Sequence, residues 1–112
     1  MSASSAGGAS SSGGQFDAER FVESLVDRFQ KETNYHLSSK ARVAVVGPAQ
    51  VNRARINEEV SSNQVSPAQI EDAVMTLLRN GMRIAIERHL PMIDEGVIAA
   101  AIKLECRYFP WC

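Results

Sequence analysis

Between Ser66 and His89 the chain carries a helix signal that leaves little choice of fold. Ser66-Pro67-Ala68-Gln69 opens it: the Ser66 hydroxyl can accept from the Gln69 amide, the Gln69 side chain can reach back to Ser66, and Pro67 at the first helical position needs no donor. Downstream, at ~100° per residue, Ile70, Val74, Leu77, Leu78, Ile84 and Ala85 share one broad face, with Asp72, Thr76, Arg79, Arg83 and Glu87 opposite. Such a helix belongs at the centre of the core, and the remaining elements must pack on it. Gly81 sits in the apolar face, where a missing side chain costs about 1 kcal/mol of helix propensity but admits a close neighbour. A tight crossing is expected there, against Ala99 to Ala101, with Gly81→Ala destabilising through overpacking.

The rest of the chain predicts further helices. Phe21, Val22, Leu25, Val26 and Phe29 recur at three-and-four spacing within Phe16 to Lys31, opposite Glu19, Glu23, Asp27 and Gln30. Asp17 can cap this helix, and Arg28 and Lys31 lie near its end, as the macrodipole prefers. Lys40 to Val46 reads either as a short helix capped by Ser38 or Ser39 or as a strand through Val43, Val45 and Val46; the helix is preferred. Gly47-Pro48 is read as a break, with Pro48 starting another short helix to about Val60. After Pro91, Met92 to Phe109 predicts a last helix whose apolar residues, Ile93, Val97, Ile98, Ala101, Ile102 and Leu104, cover most of its circumference. The fold class is therefore all-α, a small bundle of about four to five helices over residues 16–112, preceded by a Ser/Gly-rich arm, residues 1–15, with nothing to bury and expected to be disordered.

Composition limits what such a domain does. The 112 residues, 45% hydrophobic and 22% charged, describe an ordinary globular chain. A domain this small hides only roughly 60 to 65% of the surface its unfolded chain would expose, so self-association is a natural support. A net charge of −1 supplies no overall attraction to nucleic acid or to an anionic membrane. The longest near-apolar run, Val97 to Ile102, is far short of a membrane span. The N-terminus has neither the basic nor the apolar region of a signal peptide, and Cys112 is not placed as a prenylation cysteine. A reducing, cytoplasmic location is therefore expected, and two cysteines, Cys106 and Cys112, do not make a disulfide scaffold, so a core without a staple is expected as well.

No constellation points to catalysis. Cys106, Cys112, His89 and His36 are zinc-ligand types without the tight cysteine pairs of a structural zinc site, so neither a metal nor another cofactor is expected. The preferred reading makes Cys106 a small buried hydrophobe and Cys112 a terminal thiol. Nothing beside Cys106 supplies a base and an orienting group, no phosphate-binding glycine loop is present, and Glu58-Glu59, Glu71-Asp72 and Asp94-Glu95 lie at helix ends where the dipole and solvent explain them. The expectation is a protein that is not an enzyme.

Two features bear on partners. Tyr108, Phe109 and Trp111 place three of the chain's seven aromatics within four residues, which suits either closing the core or forming an interface. With Ile98 and Ile102 they make up the expected association surface, toward another copy of the chain or another protein. Lys40, Arg42, Arg53 and Arg55 occur between Thr33 and Ile56 without an acid, a local charge of +4. They are the candidate residues of the alternative function, a small helical nucleic-acid-binding protein.

Overall fold

In a computed structural model that describes residues 15–112, the chain folds into five helices. They are α1 (Ala18–Thr33), α2 (Ser39–Val51), α3 (Arg53–Ser61), α4 (Pro67–Glu87) and α5 (Glu95–Leu104), and there is no strand among the described residues. The all-α expectation holds. The Ser/Gly arm, apart from Gln15, lies outside the described residues.

Local signals set most helix ends. The Asp17 carboxylate accepts the Arg20 amide at 3.2 Å to start α1, and Asn34, in the left-handed region at φ 59°, ends it. Ala18 in the first turn of α1 donates its amide to Asn57 Oδ1 of α3 at 2.8 Å, a cap supplied from another helix. Ser38 caps α2 by accepting from Ala41 at 3.1 Å. The box at Ser66 closes in both directions, with Gln69 N to Ser66 Oγ at 3.2 Å and Ser66 N to Gln69 Oε1 at 2.8 Å. Beyond Glu87, Leu90 donates to the Ala85 carbonyl and His89 to that of Ile86, with His89 itself at φ 58°. This left-handed residue, a place usually taken by glycine, turns the chain out of α4 before Pro91 arrives.

Two elements differ from expectation. Gly47-Pro48 does not break the chain: α2 runs through it to Val51, and the interruption falls at Asn52. Proline removes one donor, the partner of the Ala44 carbonyl, and the residue before it is a glycine, which lacks the Cβ that normally clashes. Buried Val45 and Ala49 on either side of that turn hold the helix against the core. At Asn52 both the backbone amide (3.0 Å) and Nδ2 (2.8 Å) bond to the Pro48 carbonyl, and α3 starts afresh. The last helix is also shorter than predicted. Met92 and Ile93 precede α5, where Ile93 accepts from the Ser38 amide and donates to the His36 carbonyl, both at 2.9 Å, and at Glu105 the backbone becomes extended.

The core is continuous. α4 packs against α1 and α5, α2 packs against α1 and α5, and Phe29, Ile56, Ile70, Leu78, Ile93 and Ile98 are almost wholly buried. Ala73 to Leu78 are buried without interruption, including Thr76, which its place opposite the Ile70 face had marked for solvent. α4 thus carries more buried side chains than any other helix, although it packs on two helices where α1 and α2 each pack on three. Tyr35 ties the loops together by donating its hydroxyl to the Leu90 carbonyl.

Gly81 is buried against the start of α5, but its neighbours are not the alanines. A Cβ built there meets Ile93 Cγ2 at 3.5 Å, Ile98 Cδ1 at 3.7 Å and Val97 Cγ1 at 3.8 Å. These are ordinary van der Waals separations, so the expected overpacking has no basis in the geometry.

Candidate functional site

Leaving α5, the chain folds back across three other helices as a strap. Cys106 and Cys112 are joined in a disulfide with their Cα atoms 5.5 Å apart. This corrects the expectation of an unstapled core with a free terminal thiol, because the turn between the cysteines brings two sulfurs together that the spacing alone did not pair. Within the loop, Trp111 is buried and donates Nε1 to the Val45 carbonyl of α2 at 2.9 Å. Tyr108 donates its hydroxyl to Glu59 Oε1 of α3 at 2.7 Å, and the Arg55 guanidinium lies 4.2 Å from the centre of the Phe109 ring. Just before the turn, Arg107 bonds Asp72 of α4 and Glu105, both at 2.6 Å.

The electrostatics of the strap follow from those partners. Burial first, and the neighbouring Glu59 carboxylate second, push the Tyr108 phenol well above its ordinary value. The Tyr108 hydroxyl, and then Arg55, hold the Glu59 carboxyl below its usual range. Tyr108 is thus a neutral hydrogen-bond donor at physiological pH and Glu59 an ionised acceptor, an arrangement that fastens the tail to α3.

Two of the five side chains expected at an association surface therefore lie inside the chain's own core: Ile98 is 1% exposed and Trp111 7%. Their burial against α4 and α2 answers the demand for apolar contact that the sequence had assigned to a partner. Ile102 and Tyr108 are half-buried, and Phe109 is exposed at 42%. The tail serves first as core closure.

The basic segment is dispersed. Arg42 pairs with Asp27 at 2.9 Å, Arg53 with Asp17 at 2.8 Å and Arg55 with Glu59 at 3.1 Å, while Lys40 is exposed. Acids from α1 and from the next turn of α3 meet the arginines that the chain itself spaces without acids. Three of the four positive charges in that segment thus have an acid beside them. Of the paired carboxylates, Glu71 meets Arg28 at 2.9 Å, Asp72 meets Arg107, and Asp94 caps α5 by accepting from the Val97 amide at 2.9 Å. The two cysteines weighed as zinc ligands or nucleophile are bonded to each other, and among the described residues no three or more His, Cys, Asp and Glu side chains gather as a metal site. No helix among those residues is long and apolar enough to cross a membrane.

Val51, Val43, Leu104 and Ile86 are the most exposed large apolar side chains among the described residues, the first two on α2 and the others on α5 and α4. Between α4 and α5 runs an open groove of about 500 Å³ lined by Arg83, Ile84, Glu87, Ala100, Lys103 and Leu104. Leu104, at its edge, is 55% exposed. Ile84, Ala100 and Leu104 give the groove apolar surface, and Arg83, Glu87 and Lys103 give it charges of both signs. The sequence reading counted Ile84 and Leu104 among the apolar residues of these two helices, but the side chains it named for association were Ile98, Ile102, Tyr108, Phe109 and Trp111. No protein-family model, curated protein or solved structure matches the chain.

Proposed function

We propose that the protein is a non-enzymatic helical module whose task is association, foremost with a second copy of itself, through the outward side of its last helix. The observation that carries this reading is Leu104, more than half exposed and lining one groove with Ile84 and Ala100. Single exposed leucines are common, but one bordering an apolar groove has a surface to share with a partner. The commitment of the cysteines to a disulfide, of Glu59 and Tyr108 to each other and of Glu71 and Asp72 to arginines supports a role without catalysis or cofactor. The pairing of Arg42, Arg53 and Arg55 with acids counts against the nucleic-acid alternative. The disulfide supports an oxidising compartment over the reducing cytoplasm that the sequence reading expected.

Size-exclusion chromatography with light scattering at tens of micromolar tests the proposal. A dimer or small oligomer is the expected result, and a clean monomer overturns it.

A further inference from the structure

Ion pairs join the helices and the tail at four places: Arg28 with Glu71, Arg42 with Asp27, Arg53 with Asp17, Arg107 with Asp72. α5 takes part in none of them. Glu95 in its first turn and Lys103 in its last are both exposed, and neither forms an ion pair among the described residues. At ~100° per residue, Glu95, Ala99 and Lys103 follow one strip of the helix. Ala99 is exposed at its midpoint, while Val97, Ile98 and Ala101 on the other side are buried. The helix dipole accounts for the sign of each charge at its end but not for their lying on the same outward strip.

That strip is complementary to itself read backwards. If a second copy of α5 is laid antiparallel against the first, with a two-fold axis at Ala99, each Glu95 stands opposite the other copy's Lys103, since the two lie four residues from the axis on either side. Gly96, Ala99 and Ala100 offer no side chain longer than a methyl to keep the backbones apart. The groove beside the strip adds the apolar part, with Leu104 standing 55% exposed at its edge and with Arg83, Lys103 and Glu87 supplying both signs of charge on its border. A two-fold contact uses the same patch twice and so needs this kind of self-complementarity.

Building on the association reading above, we infer that the partner is a second copy of this chain, docked through an antiparallel α5–α5 contact in which Glu95 of each subunit pairs with Lys103 of the other. A parallel arrangement sets Glu95 against Glu95 and Lys103 against Lys103, and is disfavoured by like charge.

The test is a charge exchange on the full chain with its disulfide intact, followed by sedimentation equilibrium and circular dichroism on each variant. Glu95→Lys and Lys103→Glu each turn two attractions into two repulsions and should weaken the dimer about tenfold or more. The double variant, Glu95→Lys with Lys103→Glu, should restore the dimer to within about threefold of the parent by the same complementarity. Both residues are exposed, and an unchanged dichroism spectrum shows that each variant folds. A parent dimer that is indifferent to both single exchanges, or a double variant no better than the singles, overturns the antiparallel contact and leaves self-association standing. A monomeric parent overturns both.

Discussion

Gly81→Ala adds one methyl to the middle of the central helix, and the sign of its effect follows from three distances. Gly81 is helical and buried in α4, so alanine meets no backbone strain there. The new Cβ would lie 3.5 to 3.8 Å from side-chain methyls of Ile93, Ile98 and Val97. None of these separations requires a neighbour to move, so the ~1 to 3 kcal/mol typical of overpacking is not incurred. Against it stand about 1 kcal/mol of helix propensity and up to about 0.8 kcal/mol for a methyl group removed from water. The expected net is a stabilisation of about 1 to 2 kcal/mol. For a domain of this size that corresponds to a melting temperature roughly 5 to 10 °C higher. Thermal unfolding followed by far-ultraviolet circular dichroism measures it directly, and repeating the melt at two protein concentrations separates this effect from any change in association. A variant that melts at or below the parent refutes the reasoning, because it would mean that the α4–α5 contact at Ile93 is tighter than its distances state. Gly81→Leu supplies the opposite control, since its longer side chain has no room among the same three residues and should destabilise the domain.

Reducing the Cys106–Cys112 disulfide opens a loop of seven residues, whose closure is worth about 2 kcal/mol by chain entropy. The melting temperature should therefore fall by several degrees in a dithiol reductant, and an unchanged melt would show that the strap holds without its covalent closure. Trp111→Phe keeps most of the buried ring but loses the bond to the Val45 carbonyl, at an expected cost of about 1 to 3 kcal/mol for the acceptor left behind, measured by urea unfolding. Stability equal to the parent would show that this bond is replaced. Because Glu59 is held below its usual value by Tyr108 and then by Arg55, its contribution is complete above the unfolded-state carboxylate pKa of about 4.3 and is lost as the pH falls through the lower folded value. Acid unfolding of Tyr108→Phe should accordingly be less steep below about pH 4 than that of the parent, and identical slopes would remove Glu59 from the account.

The legible part of this fold is the part written in local spacing. The Ser66 capping box, the Asp17 and Ser38 caps and the three-and-four apolar repeats of α1 and α4 each specify a helix from residues within a turn or two of one another, and each stands in the structure. The local signals that misled are those whose outcome depends on distant chain. Gly47-Pro48 has the form of a helix stop, yet Val45 and Ala49 are buried on either side of it, and that burial is decided by α1 and α5. The predicted continuation of α5 to Phe109 fails for the same reason: Cys106 to Cys112 has a helical neighbour upstream, but its closure answers to Val45, Glu59 and Asp72, each far away in sequence.

The candidate surface inverts this lesson. Periodicity marks Ile98, Ile102 and the aromatic tail as more apolar surface than a small bundle can hide, and treats the excess as a partner's share. The strap removes that excess by burying Trp111 over α2, and Ile98 goes with it into the α4–α5 contact. What is left outside is set by subtraction. Leu104 is the last residue of α5, at the point where the chain departs for the strap, so the side chain that follows the apolar pattern of the helix has no further turn to cover it. Ile84 and Ala100 border the same opening because α5 stops there. The exposed groove thus lies where the last helix ends, and Cys106, Tyr108 and Trp111, drawn away into the strap, shape this candidate surface by leaving it.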